Sequence, residues 1–528
     1  MIRRAVIKNY KGLRDAQVEF GDGLNIVVGN NECGKSTLLE AINLGLTGQL
    51  NRRPAAYELH PFLFNSGATA DYVTALRAGQ IVPPPSIVIE LYFKDEAPAE
   101  LRGTNNTRNE DCPGVKLRIE LDDKFAAEYA TVIASPERVT MVPVEYYHPV
   151  WESFANDAMH LRSTPIKPVL IDPGAITNVY AANRYVVDIA RDYLSTTQQA
   201  NLALSYRHMR EVFHQDANVS AINEHLQKNS GEISDKTLSV GLDMTARTGW
   251  DTSILPHLDD LPLSQVGKGE QNSVKIKLAL KAGEDRHILL LEEPENHLSH
   301  TNLNKLIGYI SERIGGRQLI VTTHSSFVLN KLGIESTLMF DGSTAVRMSD
   351  LPDETRKYFM KLPGHDTLRM VLARRSILVE GPSDELIVQK AYKQTHGRLP
   401  LEDGVEVITV NSLAFKRFLD IARLLSLQVK VVTDNDGDVD KLRAKYSGYF
   451  DIGGVQICFN EDATLKTLEP NLAAVNEVQT LNAILGTTHV DRDAISEYMQ
   501  AQKTESALKI FETKTEVVIP QYILDAIR

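Results

Sequence analysis

The sequence predicts an α/β chain: a phosphate-loop nucleotide-binding lobe interrupted by a helical insertion, then a second, Rossmann-like α/β domain. Three observations predict it. Gly29-Asn30-Asn31-Glu32-Cys33-Gly34-Lys35-Ser36 fits the phosphate-loop pattern G-x-x-x-x-G-K-[ST]. His287–Glu295 sets an apolar run ahead of the paired carboxylates Glu292 and Glu293. From Ser376 onward, short apolar runs alternate with helical patterns, and two of them end in Glu380 and in Asp434-Asn435-Asp436-Gly437-Asp438. Repeated strand–helix–strand units predict a parallel sheet.

In order, Ile2–Ile7 and Ala16–Phe20 read as strands joined by Asn9-Tyr10-Lys11-Gly12. The largely apolar Leu24–Val28 and the helix-permissive Ser36–Leu46 flank the phosphate loop, the context that this motif requires. Gln49–Pro85 has a weak pattern. Ile87–Phe93 reads as a strand, Leu101–Pro113 as a loop, Val115–Leu121 as a half-exposed strand and Tyr129–Ile133 as a weaker one. Between Asp172 and Lys228, Val186–Tyr193 and Leu202–Phe213 space apolar residues by three and four, as helices do. Gln318–Thr322 is a strand leading to Thr323-His324-Ser325. In the second domain, strands are expected at Ser376–Val379, Val405–Val410, Val429–Thr433 and Val455–Phe459. Helices are expected at Asp384–Thr395 and Ala414–Leu425, and a helical tail from Ala494 turns extended at Val517–Ile519.

At 528 residues the chain holds roughly two to four domains. No apolar run approaches the roughly 20 residues of a membrane span, and Met1–Phe20 lacks the apolar core of a signal peptide. Cys33, Cys112 and Cys458 have no paired spacing. Neither a disulfide framework nor a zinc site is expected, and a reducing cytoplasm is. The net charge of -12 argues against a generally nucleic-acid-coating surface. It leaves room for a local basic groove and for a cluster of metal-binding carboxylates.

The site chemistry follows from residue types. In the phosphate loop, backbone N–H groups face a phosphate at the positive end of a helix. Lys35 would reach the β- and γ-phosphates, and Ser36 would hold Mg²⁺. Val266-Gly267-Lys268-Gly269-Glu270-Gln271 is a glycine-rich turn opening a helix. Glu292 would position Mg²⁺ through water, Glu293 would orient or deprotonate the attacking water, and His324 is placed to sense a γ-phosphate. Functional groups in parallel sheets collect at the carboxyl ends of strands. Glu380 and the Asp434/Asp436 pair fall at two such ends. Crowded carboxylates repel unless a cation sits among them, which points to Mg²⁺ or Mn²⁺. An EF-hand fails for the Asp434 loop, since its twelfth position is Lys445. Glu469, after a further strand, could complete a second metal position.

These motifs, in this order, resemble the OLD (overcoming lysogenization defect) family of ATP-dependent nucleases. That family joins an ABC-type ATPase, related to SMC and RecF proteins, to a C-terminal Toprim domain. Gly29–Ser36 is similar to Walker A, and the nucleotide set implied is Asn30, Asn31, Gly34, Lys35, Ser36, Thr37, Gly267, Gly269, Glu292 and His324. Gly267–Gln271 stands at the ABC signature, departing from the usual Ser-Gly-Gly. Leu289–Glu293 resembles Walker B, with Glu293 catalytic, and Pro294–Leu298 the D-loop. Glu380, Asp434 and Asp436 match the defining Toprim acids, and Asp384 completes E-G-x-x-D. Glu469 resembles a later metal ligand, and Lys503 a lysine thought to stabilise the transition-state phosphate.

The resemblance implies ATP and Mg²⁺ (or Mn²⁺) as cofactors and metal-dependent cutting of nucleic acid, with DNA favoured over RNA. It implies at least a homodimer through the ATPase domain, no membrane, and a setting in anti-phage defence. An operon-encoded helicase, or a reverse transcriptase with its noncoding RNA, would be a fitting companion. The expected domains are residues 1–150 and 236–372 for the two parts of the ATPase, 151–235 for the helical insertion and 373–528 for Toprim. Three rivals share much of this pattern: a repair or sensor ATPase with a non-catalytic Toprim fold, another Toprim chemistry, and a Toprim RNase acting on tRNA.

Overall fold

The computed structural model of the chain describes all residues except 30–32, 52, 161–163, 172–186, 188–190, 192–193, 229–235, 237, 243–248, 283–286, 326–327, 329–331, 362–368, 371–372, 374 and 411–413.

The first lobe is built from β1 (Ile2–Tyr10), β2 (Leu13–Glu19), β3 (Leu24–Val28), α1 (Lys35–Thr47), α2 (Ser66–Arg77), β4 (Ile87–Phe93), β5 (Cys112–Leu121), α3 (Ala126–Ile133), β6 (Tyr147–Ser153) and β7 (Pro168–Ile171). It continues through α4 (Thr196–His214), α5 (Ala217–Lys228), α6 (Lys268–Ala282), β8 (Ile288–Glu292), α7 (His300–Arg313), β9 (Gln318–Thr322), β10 (Thr337–Phe340) and β11 (Ala345–Arg347). One sheet is antiparallel, in the order β2-β1-β4-β5, with β6 and the short Arg102–Gly103 strand both on β5. The other runs β7-β8-β9-β3-β10-β11 and is parallel up to its last hairpin.

Helix α1 packs against strands of both sheets and buries Leu38, Leu39, Ile42, Leu44 and Leu46 in the core they share. A helix apolar most of the way round belongs between two layers rather than on a surface. Fully buried Gln318 ties the layers together. Its Nε2 donates to the carbonyls of Ile2 (2.8 Å) and Gly21 (3.0 Å), and its Oε1 accepts from the Ile2 N–H (2.8 Å). That amide satisfies backbone groups that burial would otherwise leave without water.

The C-terminal unit is a four-stranded parallel sheet. Its elements include β12 (Arg375–Val379), α8 (Pro382–His396), β13 (Val405–Thr409), α9 (Phe415–Leu425), β14 (Gln428–Val432), β15 (Val455–Cys458), α10 (Leu468–Val475), α11 (Arg492–Ala501), α12 (Lys503–Glu512) and α13 (Gln521–Ile527). Strand order is β13-β12-β14-β15, so the strands leading to Glu380 and Asp434 are neighbours. One apolar cluster runs from Ile26 and Val28 of β3 to Leu378, Ile408 and Phe415, joining the two units.

The structure corrects several expectations. Tyr129–Ile133 is not a strand but the end of helix α3. Ala126, Ala127, Glu128 and Ala130 are strong helix formers, and only Tyr129 is buried. The weakly patterned Gln49–Pro85 contains α2, capped by the Asn65 side chain, which accepts from the Ala68 N–H at 3.1 Å. The expected insertion at 151–235 opens with sheet: β6 ends at Ser153 and β7 pairs with β8. Its described helices begin only at Thr196, and Val186–Tyr193 falls almost wholly outside the described residues. No helix among the described residues is long and apolar enough to cross a membrane.

Candidate functional site

Of the phosphate loop, Gly29, Cys33 and Gly34 are described, and the two glycines are tightly confined. A Cβ on Gly29 would lie 2.2 Å from the Phe340 carbonyl oxygen. Gly34 has φ 92°, and a Cβ there would lie 2.7 Å from Leu13 Cδ2. Neither position admits a side chain. Lys35 opens α1, is buried, and its Nζ donates to the Gly29 carbonyl at 2.9 Å. Burial lowers its pKa, opposed by Cys33 and then by Glu293, Glu292 and Glu295. Ser36 is exposed and Thr37 half-buried in the first turn, where helix N–H groups lack intrahelical partners. Asn30 and Asn31 lie outside the described residues.

Strand β8 ends in Glu292, in register with Thr322 of β9. Strand β9 separates β8 from β3, so the carboxylates are one strand removed from the phosphate loop rather than directly beside it. Glu293 turns at φ 37°, a conformation rare for side-chain-bearing residues, and its N–H donates to the Thr322 carbonyl at 2.9 Å. His324 Nε2 stands 3.0 Å from Glu293 Oε1, and Asn296 Nδ2 donates to Glu293 Oε2 at 2.9 Å. Burial first, then the Lys35 ammonium, lowers the His324 pKa against the pull of Glu293, favouring the neutral ring. Lys35, Glu292, Glu293 and His324 are therefore one electrostatic group.

Glu295 was not singled out in the sequence. Its Oε1 accepts from Thr323 Oγ1 (2.6 Å) and from the N–H groups of His324 (2.8 Å) and Ser325 (3.1 Å), fixing the histidine's backbone. Its one sequence signal is a carboxylate two residues past Glu293. Gly267 is exposed just before α6. Gly269 packs on the turn at 294–298, where a Cβ would lie 2.3 Å from the His297 carbonyl oxygen. Asn272 Nδ2 donates to the Asn296 carbonyl at 3.1 Å, so α6 and Glu293 share the Asn296 residue.

At the carboxyl ends of β12 and β14, Glu380 Oε1 accepts from Thr433 Oγ1 (2.6 Å) and the Asp434 N–H (3.1 Å). Asp384, in the first turn of α8, accepts from the Gly381 N–H at 3.1 Å. Glu469, in the first turn of α10, is 4% exposed and accepts from Thr467 Oγ1 at 2.9 Å. Lys503 Nζ, at the start of α12, stands 3.8 Å from Glu469 Oε1. Burial, then Glu380 and Glu469, pushes the Asp384 carboxyl up to about 7. Burial, then Asp384, Glu380 and Glu469, pushes Asp434 up to about 8.

Four carboxylates thus face one another with Lys503 at their edge. All their donor atoms are oxygen, the set that suits a hard divalent cation. A cation would remove the repulsion that raises these pKa values, so the residues fit a metal. Among the described residues, no three His, Cys, Asp or Glu side chains are drawn into a ready coordination shell. Asp436 is exposed at φ 52° on the turn after Asp434.

Comparison with known proteins finds relatives for both parts of the chain. Residues 24–330 match the model of the "AAA domain, putative AbiEii toxin, Type IV TA system" family. Residues 371–436 match the "Overcoming lysogenization defect protein-like, TOPRIM domain". The chain is 21% identical over 484 residues to Endonuclease GajA of Bacillus cereus (strain VD045), covering 86% of this chain and 78% of that one. It is 41% identical over 59 residues to the DNA replication and repair protein RecF of Magnetococcus marinus, covering 11% of this chain and 15% of that one. Among solved structures, the C-terminal region of the Xanthomonas campestris pv. campestris OLD protein aligns at 19% identity and TM-score 0.25, covering 30% of this chain and 92% of that one. The SMC head domain from Thermotoga maritima aligns at 14% identity and TM-score 0.31, covering 66% and 98%. The chain belongs to the AAA-domain family matched over residues 24–330, and with the OLD-like Toprim domain behind that match it is a hydrolase with ATPase and nuclease activity.

Proposed function

We propose that the chain is an ATP-regulated, metal-dependent endonuclease that cuts nucleic acid, DNA in preference to RNA, by two-metal phosphodiester hydrolysis. The observation that carries this is the convergence of Glu380, Asp384, Asp434 and Glu469 beside Lys503 at the carboxyl end of a parallel sheet. These four, with Asp436 from the adjoining turn, would hold Mg²⁺ or Mn²⁺. Bound there, such ions activate the attacking water and stabilise the leaving oxygen. Thr433 and the Asp434 N–H hold Glu380 in place, and Thr467 holds Glu469. Lys503, half-exposed, meets the charge that develops on the phosphate.

In the ATPase site, Lys35 and Ser36 would bind the phosphates and their Mg²⁺, with Asn30, Asn31, Gly34 and Thr37 completing the loop. Glu292 would help to hold that ion. Glu293 orients the attacking water, held by Asn296 and His324. Gly267 and Gly269 serve the nucleotide of a second copy, and the exposure of Gly267 supports that. The exposed Leu202, Leu204, Met209, Val212 and Phe213 of α4 support the insertion as a dimer contact within residues 151–235. The family resemblance supports a role in anti-phage defence beside an operon partner, with ATP controlling access to the Toprim site at 373–528.

The test is cleavage of plasmid, single-stranded DNA and tRNA with Mg²⁺ or Mn²⁺, with and without ATP. Glu380→Ala should abolish cutting and leave ATP hydrolysis intact. A variant that still cuts would place the metal centre elsewhere, and cutting of tRNA alone would make the chain an RNase.

A further inference from the structure

Tyr522 is the second residue of α13, the helix that packs on β14, β15 and α8. Its ring sits in the apolar cluster with Val379, Val432 and Leu468. Val379 immediately precedes Glu380, Leu468 immediately precedes Glu469, and Val432 lies two residues before Asp434. The ring therefore shares its apolar cluster with residues that lead directly into three site carboxylates. The residue is 6% exposed, and its hydroxyl, sealed from solvent, makes no hydrogen bond among the described residues. A buried tyrosine hydroxyl ordinarily finds a partner, so an orphan one marks a site whose partner is not yet in place. Its neighbours show which partner. After burial, the groups that act on the hydroxyl are Asp434, Asp384, Glu469 and Glu380 in that order, and all four are acceptors. One unpaired donor faces four carboxylates that repel one another.

We infer that Tyr522 is a positioning residue of the carboxylate centre, its hydroxyl donating to an Asp434 oxygen once a divalent cation draws the carboxylates together. This rests on the metal-centre reading above. A carboxylate that gives one oxygen to a cation keeps a second, and a donor to that second oxygen fixes its orientation and sharpens affinity. A tyrosine suits the task because the phenol stays neutral beside the carboxylates and adds no charge for the cation to oppose. It also couples the last helix of the chain to the metal site.

The experiment compares full-length wild type, Tyr522→Phe and Asp434→Ala in two measurements: thermal unfolding without metal, and titration with Mn²⁺ alone. Phenylalanine keeps the ring in its apolar cluster. Tyr522→Phe is expected to unfold at the same or a higher temperature without metal, because only an unpaired hydroxyl is lost. Its Mn²⁺ dissociation constant is expected to rise about tenfold, the usual cost of losing a hydrogen bond behind a ligand. Equal Mn²⁺ affinity in Tyr522→Phe and wild type overturns the inference. So does a lower metal-free unfolding temperature that accounts for the affinity lost. Equal affinity in Asp434→Ala and wild type instead removes the metal centre itself, and the inference falls with it.

Discussion

Replacing Asp434 by asparagine should stabilise the metal-free protein. The side chain keeps its shape and loses its charge, which burial and the carboxylates of Asp384, Glu380 and Glu469 make costly. The Asp434 carboxyl rises from 3.8 to about 8. A carboxyl raised in the folded state favours folding fully only below its unfolded pKa, and that contribution is lost as pH climbs through the folded one. At pH 7 about three pH units separate the solution from 3.8, and each is worth about 1.4 kcal/mol. Taking up the proton that the folded site demands therefore costs roughly 4 kcal/mol, from which the asparagine's own buried polar group takes back about 1–2 kcal/mol. A net gain on the order of 2–3 kcal/mol should raise the unfolding transition of the C-terminal unit by about 5 °C or more. Differential scanning calorimetry of the full chain in chelator, from pH 4 to pH 8, measures it. The gain should be near zero at pH 4 and largest at pH 8. Mn²⁺ should reverse the ranking by stabilising wild type far more than the variant. A variant less stable than wild type at pH 8, or a gain that does not change with pH, would refute the reasoning.

Two further outcomes are expected at the ATPase site. Glu293→Gln should slow phosphate release roughly 10²- to 10⁴-fold with ATP affinity retained; undiminished turnover would remove Glu293 from its role in orienting water. Gly269→Ala would place a methyl group 2.3 Å from the His297 carbonyl oxygen. The strain of about 1–3 kcal/mol should displace the turn that holds Asn296 and lower ATP hydrolysis, and normal hydrolysis would show that the contact yields easily.

Strands with a strong apolar signature were legible to the residue: Leu24–Val28, Ile87–Phe93 and Gln318–Thr322. Each is buried nearly throughout, so local pattern and tertiary packing demand the same thing. Tyr129–Ile133 was misread because Tyr, Val and Ile in a short run suit a strand, while the alanines before them decide for helix. Helix α2 was missed because Ser66, Gly67 and Thr69 weaken its signal, and its stability comes from burying Tyr72, Val73 and Leu76. Glu295, Asn296, Thr433 and Tyr522 escaped notice for a different reason. Each has an ordinary residue type for its place, and only contacts made across the fold give it a role.

The sequence by itself determined the two chemistries. A glycine loop ending in Gly34-Lys35-Ser36 and carboxylates at strand ends are local features, written in residues close along the chain. Only the tertiary structure decided which groups act together. Parallel pairing of β12 with β14 sets Glu380 beside Asp434, and α10 and α12 bring Glu469 and Lys503 from the far end of the chain. The turn after Asp434 leaves Asp436 exposed at the rim of that set. Such proximity depends on strand order and helix packing, which are collective properties of the core and are not encoded in any one stretch of sequence.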